Sequence, residues 1–277
     1  MIENLDQNQI ILIVTLMTAS AVIVGFMAGL FGIGGGLIMV PVLFYIYSFI
    51  GIEQKFIMHL ALGTSFSIII PTSIISTITH MKFKAVDFGI VKTFGVFVVA
   101  GIVFGTIFAV SLKTSSLVLL FSIMTAIFAI YFLIEKEKIN PVPKQINLIY
   151  KVISGFLSGF FSGPMGIGGG VFNVPIFKIF GYSIKVAIGS SAAIGVLNAT
   201  AGAIGFAIAG SYLSANIPLS LGFVNIPTFL IFVPITTFMA KIGAKTVHKV
   251  NKNLLGKLFG IYLFFISCRL FLEYLKF

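Results

Sequence analysis

The sequence carries very little charge. Only 9% of its 277 residues are Asp, Glu, Lys or Arg, whereas soluble globular domains carry about 25%. Hydrophobic residue types make up 58% of the chain, and the mean hydropathy is +1.15. So few charges cannot cover a core of that size with a solvated surface. The composition therefore excludes a soluble globular domain and indicates a protein that crosses a membrane several times.

Cysteine and the common catalytic motifs are also scarce or missing. The single cysteine, Cys268, excludes an intramolecular disulfide and a cysteine-based metal site. The sequence contains no G-x-x-x-x-G-K-[ST] nucleotide loop, no H-E-x-x-H zinc motif and no G-x-S-x-G nucleophile turn. We therefore predict a protein that is not an enzyme, with no cofactor and no metal site.

The charges that are present are mostly basic, with 18 Lys and Arg against 7 Asp and Glu. In a soluble protein this excess would suggest nucleic-acid binding. Here the basic residues lie in short hydrophilic joints between apolar runs, which is how membrane proteins fix their orientation. We therefore expect a lipid bilayer as partner, and no nucleic acid. The N-terminus carries Glu3 and Asp6 instead of a basic segment, so no cleaved signal peptide is predicted.

The apolar runs predict an all-α polytopic membrane protein. Helices satisfy their own backbone groups in lipid, and these runs lack the alternating pattern of a membrane barrel. The runs cover residues 10–30, 37–50, 56–79, 88–112 and 115–134, and then 148–162, 171–180, 186–209, 219–240 and 254–275.

The chain contains the same unit twice. The motif Gly-Ile-Gly-Gly-Gly-x4-Pro begins at Gly32 and recurs at Gly166. The motif Ala-x-Gly-[ST]-Ser follows it at residues 61–65 and again at 187–191. We predict a first membrane repeat at residues 1–134, a polar linker at 135–150 and a second membrane repeat at 151–277.

Charge predicts that the two repeats are inverted. If each Gly-rich segment is a hairpin whose arms share one face, 14 of the 18 basic residues lie on one side, which is then cytoplasmic. If each segment were one broken crossing helix, the lysine-rich joint at 241–257 would lie outside, against the positive-inside bias. We predict two inverted repeats, each with a Gly-rich re-entrant or broken helix hairpin plus about three spanning helices. The shortness of 148–162 and 171–180 favours arms that end inside the protein.

Two glycine triplets form the first candidate site. Each precedes a new helical run, so the unpaired N–H groups and the positive end of that helix would face the break. Transporters with inverted repeats hold substrates at such mid-membrane breaks. The alternative is that the glycines only allow tight turning and close packing, but their recurrence favours a functional role. The triplets are Gly34, Gly35 and Gly36, and Gly168, Gly169 and Gly170.

Polar side chains within the runs complete the candidate site. Hydroxyls can line an anion path, although hydrogen bonding between helices is their common role. Asn173, which stands where the first repeat has Met39, could contact one side of a ligand. His80 is a candidate for proton coupling, with an interfacial histidine at a helix end as the alternative. The hydroxyls that recur in both repeats are Thr64, Ser65, Ser190 and Ser191.

The doubled glycine motif, each copy followed by Ala-x-Gly-[ST]-Ser, resembles the TauE/SafE family of sulfite exporter-like membrane proteins along essentially the whole chain. The segment from His80 to Asp87 is similar to a His…Gly-x-Val-Asp stretch of that family, with a departure at the glycine. The resemblance implies a permease of the bacterial inner (plasma) membrane that moves small anions such as sulfite or sulfoacetate. It also implies the two glycine triplets and the four recurring hydroxyls as the first substrate-binding candidates.

These observations lead to one functional hypothesis. We expect a secondary transporter that holds a small anion at helix N-termini near mid-membrane, works by alternating access and exports its substrate. A passive anion channel and a membrane subunit of a larger complex remain as alternatives. The oligomeric state is left open, with a homodimer as one option.

Overall fold

The chain folds almost entirely into helices. A computed structural model describes residues 6–32, 34–134, 146–213, 215, 217–246 and 252–277. Within these residues there are ten helices and one short antiparallel hairpin. The first half contains α1 (Gln7–Phe31), α2 (Gly36–Phe49), α3 (Ile57–Lys82), α4 (Phe88–Ser111) and α5 (Thr114–Ile134). The second contains α6 (Leu148–Ser162), α7 (Gly170–Ile179), α8 (Ile184–Tyr212), β1 (Ser220–Leu221), β2 (Val224–Asn225), α9 (Ile226–Thr246) and α10 (Lys252–Tyr274).

Helix length and composition confirm the predicted all-α polytopic membrane class. Among the described residues, six helices are long and apolar enough to cross a bilayer, namely α1, α3, α4, α5, α8 and α9. The helices α2, α6 and α7 have only 14, 15 and 10 residues. At 1.5 Å per residue, α7 covers about 15 Å, which is half of a hydrocarbon core of about 30 Å. The second arm of each glycine hairpin, α2 and α7, is thus too short to cross.

One predicted run was wrong at its start. The apolar run at 219–240 was expected to be helical throughout, but α9 begins at Ile226 and the hairpin of β1 and β2 precedes it. Gly222 adopts a φ of +56°, which forms the hairpin turn. The Asn225 side chain then accepts a hydrogen bond from the N–H of Thr228, which caps the first turn of α9.

The two halves are interlocked. Helix α1 packs against α9, and α6 packs against α4, so the first helix of each half lies on the fourth helix of the other half. Helices α3 and α8 pack on each other, as do α5 and α10. Glycines allow the backbones to touch: a methyl group on Gly29 would overlap the carbonyl of Ala240, and one on Gly101 would overlap the carbonyl of Phe156. Such small residues are what packing in lipid favours.

Helices α3 and α8 run in opposite directions. Near the start of α3, the Thr64 Oγ1 accepts a hydrogen bond from the N–H of Asn225, which lies beyond the end of α8. Near the start of α8, the Ser190 Oγ accepts one from the N–H of Asp87, which lies beyond the end of α3. These two corresponding helices are therefore antiparallel, and the inversion of the whole repeats stays a prediction.

The repeat boundaries at 1–134 and 151–277 stay predictions. Residues 135–145 of the predicted linker at 135–150 lie outside the described residues, and α6 begins at Leu148. The side chain of Asn147 caps α6 by accepting a hydrogen bond from the N–H of Ile149.

Candidate functional site

The two glycine breaks meet at the centre of the protein. A methyl group placed on Gly34 would lie 3.4 Å from the backbone nitrogen of Gly168, and one placed on Gly36 would overlap the carbonyl oxygen of Gly166. All six glycines of the two triplets are buried. The structure thus brings both triplets together, and the side chain of Ile69 packs beside them.

Each break ends in a glycine that starts the following helix. Gly35, with a φ of +81°, is the N-cap of α2, and Gly169, with a φ of +78°, is the N-cap of α7. Residues with a Cβ rarely adopt this left-handed conformation. The first-turn N–H groups of both helices therefore lie at the point where the breaks meet, and among them those of Ile38 and Phe172 donate to the carbonyls of Gly35 and Gly169. The positive ends of both helix dipoles lie there too.

Ser65 and Ser191 bind the glycine breaks of the opposite halves. The Ser65 Oγ on α3 donates to the carbonyl of Gly166 at 2.7 Å. The Ser191 Oγ on α8 donates to the carbonyl of Gly32 at 3.4 Å. These two hydroxyls occupy equivalent positions in the repeat, so each long helix holds the other half's break in place.

Thr64 and Ser190 bind the loops that follow the opposite long helix. Thr64 accepts from the N–H of Asn225 and from the hydroxyl of Tyr47, at 2.9 and 3.3 Å. Ser190 accepts from the N–H of Asp87 at 2.9 Å. The preceding glycine of the motif, Gly63, leaves room for this loop, since a methyl group there would overlap a loop carbonyl. The Ala-x-Gly-[ST]-Ser motif thus seats a loop, and a role of its hydroxyls in substrate binding stays a prediction.

The N-terminus of α7 is surrounded by polar side chains. We call Ser158, Ser162, Asn173 and Asn198 the α7 cluster; all four are buried. The Asn173 Oδ1 accepts from the Ser158 Oγ at 2.5 Å, and the Asn198 Nδ2 donates to the carbonyl of Ile167 at 3.2 Å. A methyl group on Gly169 would lie 3.1 Å from the Nδ2 atoms of both asparagines. The two amides therefore lie directly at the break.

Two atoms of the α7 cluster have no hydrogen-bond partner in the described part of the chain. These are the Nδ2 of Asn173 and the Oδ1 of Asn198, and both residues have 0% exposed surface. Asn173 was a candidate from the sequence. Ser158, Ser162 and Asn198 were missed, and the available signal was a residue-by-residue comparison of the two repeats.

The N-terminus of α2 has apolar surroundings instead. A methyl group on Gly35 would lie 2.6 Å from the Cγ1 of Val24 and 3.4 Å from the Cβ of Ala28. Ile69 of α3 lies beside both breaks, with its Cγ2 3.0 Å from a methyl group on Gly34. The N-termini of α2 and α7 therefore have equivalent backbone conformations, but apolar side chains surround the first and polar side chains surround the second.

His80 lies at the other end of α3, beside the first arm of the glycine hairpin. It has 1% exposed surface, and its Nε2 lies 3.2 Å from the carbonyl oxygen of Gly29 on α1. A methyl group on Gly189 would lie 3.1 Å from the His80 Cβ, so α8 packs against it as well. Proton coupling through His80 stays a prediction.

Two cavities open at opposite ends of α3. One, of about 540 Å³, includes Lys55, His59 and Lys113 in its lining, and the other, of about 320 Å³, includes Lys84 and Tyr182. Neither cavity is lined by the glycine triplets. At the second cavity, burial and then the negative charge of a nearby aspartate raise the pKa of Tyr182 above its ordinary value.

Comparison with known proteins agrees with this architecture. The family model described as "Sulfite exporter TauE/SafE" matches residues 17–270. A probable membrane transporter protein of Haemophilus influenzae is 32% identical over 249 residues, which cover 90% of this chain and 94% of the relative. One from Methanocaldococcus jannaschii is 29% identical, over 88% of this chain and 90% of the relative. One from Bacillus subtilis is 26% identical, over 93% and 97%.

Proposed function

Because the chain belongs to the sulfite exporter TauE/SafE family and is a multi-pass transporter of the plasma membrane, we propose that it is a secondary carrier of small oxyanions. The proposed substrates are sulfite and organosulfonates such as sulfoacetate, and the proposed direction is export. The anion binds where the two glycine breaks meet, between the N-termini of α2 and α7.

The observation that carries this proposal is the contact between the breaks. Gly34 meets Gly168 in the buried interior, and the glycine triplets do not line either of the cavities at the two ends of α3. A carrier needs a conformation in which the substrate site is closed to both sides, whereas an open channel does not. Two helix N-termini at this point supply N–H donors and positive partial charge for an anion.

The opposite directions of α3 and α8 support the inverted arrangement of the two repeats. In such transporters, alternating access arises when one bundle rocks against the other around a fixed midplane site. Because α1 packs on α9 and α6 packs on α4, we propose that the moving bodies combine helices from both halves. The hydrogen bonds of Ser65 and Ser191 to the opposite breaks then hold the closed conformation.

Export has a physical driving force that needs no further component. A membrane potential that is negative inside favours outward movement of an anion by about 2.3 kcal/mol per charge per 100 mV. A proton can cross with the anion, either on the substrate or on His80, which is buried against the arm that carries the first break. A proton that leaves with the anion would cancel the charge moved and so remove this driving force, whereas a proton that enters in exchange for the anion would add to it.

Transport by the purified protein in liposomes tests the proposal. Vesicles are loaded with labelled sulfite or sulfoacetate, and efflux is followed under an imposed potential or pH gradient. We expect saturable flux that responds to the gradient. We expect Gly35→Leu and Gly169→Leu to abolish it, because both side chains would be forced into a left-handed conformation at the site.

Gly256→Ala on α10 is the matched control. A methyl group there would lie 3.8 Å from the nearest atom, which is ordinary contact distance, so transport should be retained. Non-saturable conductance would indicate that the protein is an anion channel and not a carrier. A folded wild-type protein with no flux of either anion would contradict the proposal and favour a subunit of a larger complex.

A further inference from the structure

We propose that the oxyanion binds at the α7 end of the paired breaks, as a monoanion, and that Asn173 and Asn198 determine this specificity. This inference rests on the proposed transport function and narrows it. It places the anion at the N-terminus of α7 instead of midway between the N-termini of α2 and α7.

The asymmetry comes from a comparison of equivalent positions. With the glycine motifs aligned, Ser158, Ser162 and Asn173 correspond to Val24, Ala28 and Met39. With the Ala-x-Gly-[ST]-Ser motifs aligned, Asn198 corresponds to Thr72. Val24 and Ala28 thus contact the N-terminus of α2, and Thr72 instead donates to the hydroxyl of Thr236, whereas four polar residues surround the N-terminus of α7. The two breaks have the same backbone arrangement, which does not require different side chains around the two helix N-termini. The difference in side chains therefore indicates a ligand at the N-terminus of α7.

The unpartnered atoms support the same assignment. Buried polar groups in native proteins nearly always have a hydrogen-bond partner, and an exception calls for an explanation. The Asn173 Nδ2 is fully buried, has no partner and lies 3.1 Å from the position of a methyl group on Gly169. An oxyanion at the end of α7 would accept from this N–H and from the first-turn N–H groups of the helix. The helix end is therefore not the only feature that indicates a ligand.

The second unpartnered atom suggests the protonation state of the ligand. The Asn198 amide is oriented by its hydrogen bond to the carbonyl of Ile167, and its Oδ1 is left as an acceptor without a donor. A monoanion that keeps one hydroxyl, such as hydrogen sulfite, offers an acceptor to Asn173 and a donor to Asn198. A dianion offers no donor at all.

The charge balance of the site also favours a monoanion. Every group of the α7 cluster is neutral, and no Lys, Arg, Asp or Glu of the described residues is buried. Removal of an ion from water costs much more for a double charge than for a single one, and partial charges at a helix end offset a double charge less well than a buried counter-charge would. The site should therefore discriminate against sulfate and against fully ionised sulfoacetate, and within the proposed substrates it favours hydrogen sulfite.

Matched substitutions at equivalent positions test the assignment. The measurement is the concentration of labelled sulfite that gives half-maximal flux in proteoliposomes. Asn173→Leu removes the donor at nearly constant volume, and we expect the half-maximal concentration to rise about 10- to 100-fold, as for loss of one hydrogen bond to an ion. Met39→Leu, at the equivalent position on α2, should change it by less than about twofold, because a volume-conserving apolar change is well tolerated.

Ser158→Ala combined with Asn173→Leu provides a second variant if the leucine variant fails to fold. It also removes the Ser158 hydroxyl that would lose its acceptor, and removal of both partners of a buried hydrogen bond is nearly neutral for stability, so sulfite flux should fall while the melting temperature is retained. Competition tests the charge: excess phosphate at mildly acidic pH, where it is a tetrahedral monoanion that keeps hydroxyl groups, should inhibit sulfite flux, whereas equal sulfate should not.

Equal effects of Asn173→Leu and Met39→Leu, unchanged sulfite flux in the folded double variant of Ser158 and Asn173, or equal inhibition by sulfate and monoanionic phosphate would overturn this inference and leave the carrier intact. Absence of flux in the wild-type protein would instead remove the proposed function itself. The two failures are therefore distinguishable.

Discussion

Gly36→Ala probes the contact between the two breaks most directly. The added methyl group would overlap the carbonyl oxygen of Gly166 and lie 2.9 Å from the Cα of Ile167. Since non-bonded carbon atoms pack at about 3.5–4.0 Å, the breaks must separate by about 1 Å. Overpacking of this kind costs about 1–3 kcal/mol. At 1.4 kcal/mol per factor of ten, the closed contact should lose about 5- to 150-fold in population.

The assay is the initial rate of labelled sulfite efflux from proteoliposomes at a fixed gradient, normalised to the amount of folded protein. If transport passes through the closed contact, the rate of the variant should fall by up to the same factor. Gly256→Ala, where the nearest atom is 3.8 Å away, should transport at the wild-type rate. Wild-type flux in folded Gly36→Ala would refute the view that the two breaks must touch during the transport cycle.

Three further changes have defined outcomes. Ser65→Ala should lower the melting temperature in detergent more than Ser191→Ala, because the hydrogen bonds they remove are 2.7 and 3.4 Å long and a buried carbonyl without a donor costs about 1–3 kcal/mol. Because the pKa of Tyr182 is raised by folding, its contribution to stability is complete below the ordinary tyrosine pKa of about 10 and is lost above it; Tyr182→Phe should remove that part of the decline in a denaturation series against pH. In a Cys268→Ser background, Lys55→Cys should react with an impermeant thiol reagent from outside and Lys84→Cys from the cytoplasm, and reaction of both from one face would contradict the inverted repeats.

The helical architecture was largely accessible from the sequence because each element carries a local signal. Helix α6 has the bounds that were predicted, Leu148–Ser162, since Asn147 caps its start and Gly163 follows its end. The run at 219–240 failed because hydropathy does not separate an apolar hairpin from an apolar helix. In this run, Gly222 forms the turn of the hairpin and Asn225 caps the start of α9. Each signal is a single residue, which a hydropathy pattern does not detect.

The candidate site was accessible in its backbone and not in its side chains. The repeated glycine triplets indicated two breaks that face an anion, and the structure brings them together. The partners of Ser65 and Thr64 could not be predicted, because their bonds to Gly166 and Asn225 join residues far apart in the chain. Of the α7 cluster, only Asn173 was a candidate, because a single asparagine or serine in a membrane helix has many ordinary roles. The sequence does not show that these four residues lie together around the N-terminus of α7, and only the structure does.

The interlocked pairing of α1 with α9 also constrains how the protein is made. The glycine face of α1 finds its partner only after α9 has left the ribosome, and at about 5–20 residues per second that interval is roughly 10 to 40 seconds. During this time the newly inserted hairpin of α1 and α2 must be sheltered by lipid or by the insertion machinery. Co-expression of the two halves as separate chains should therefore restore a stable protein, whereas either half alone should be degraded.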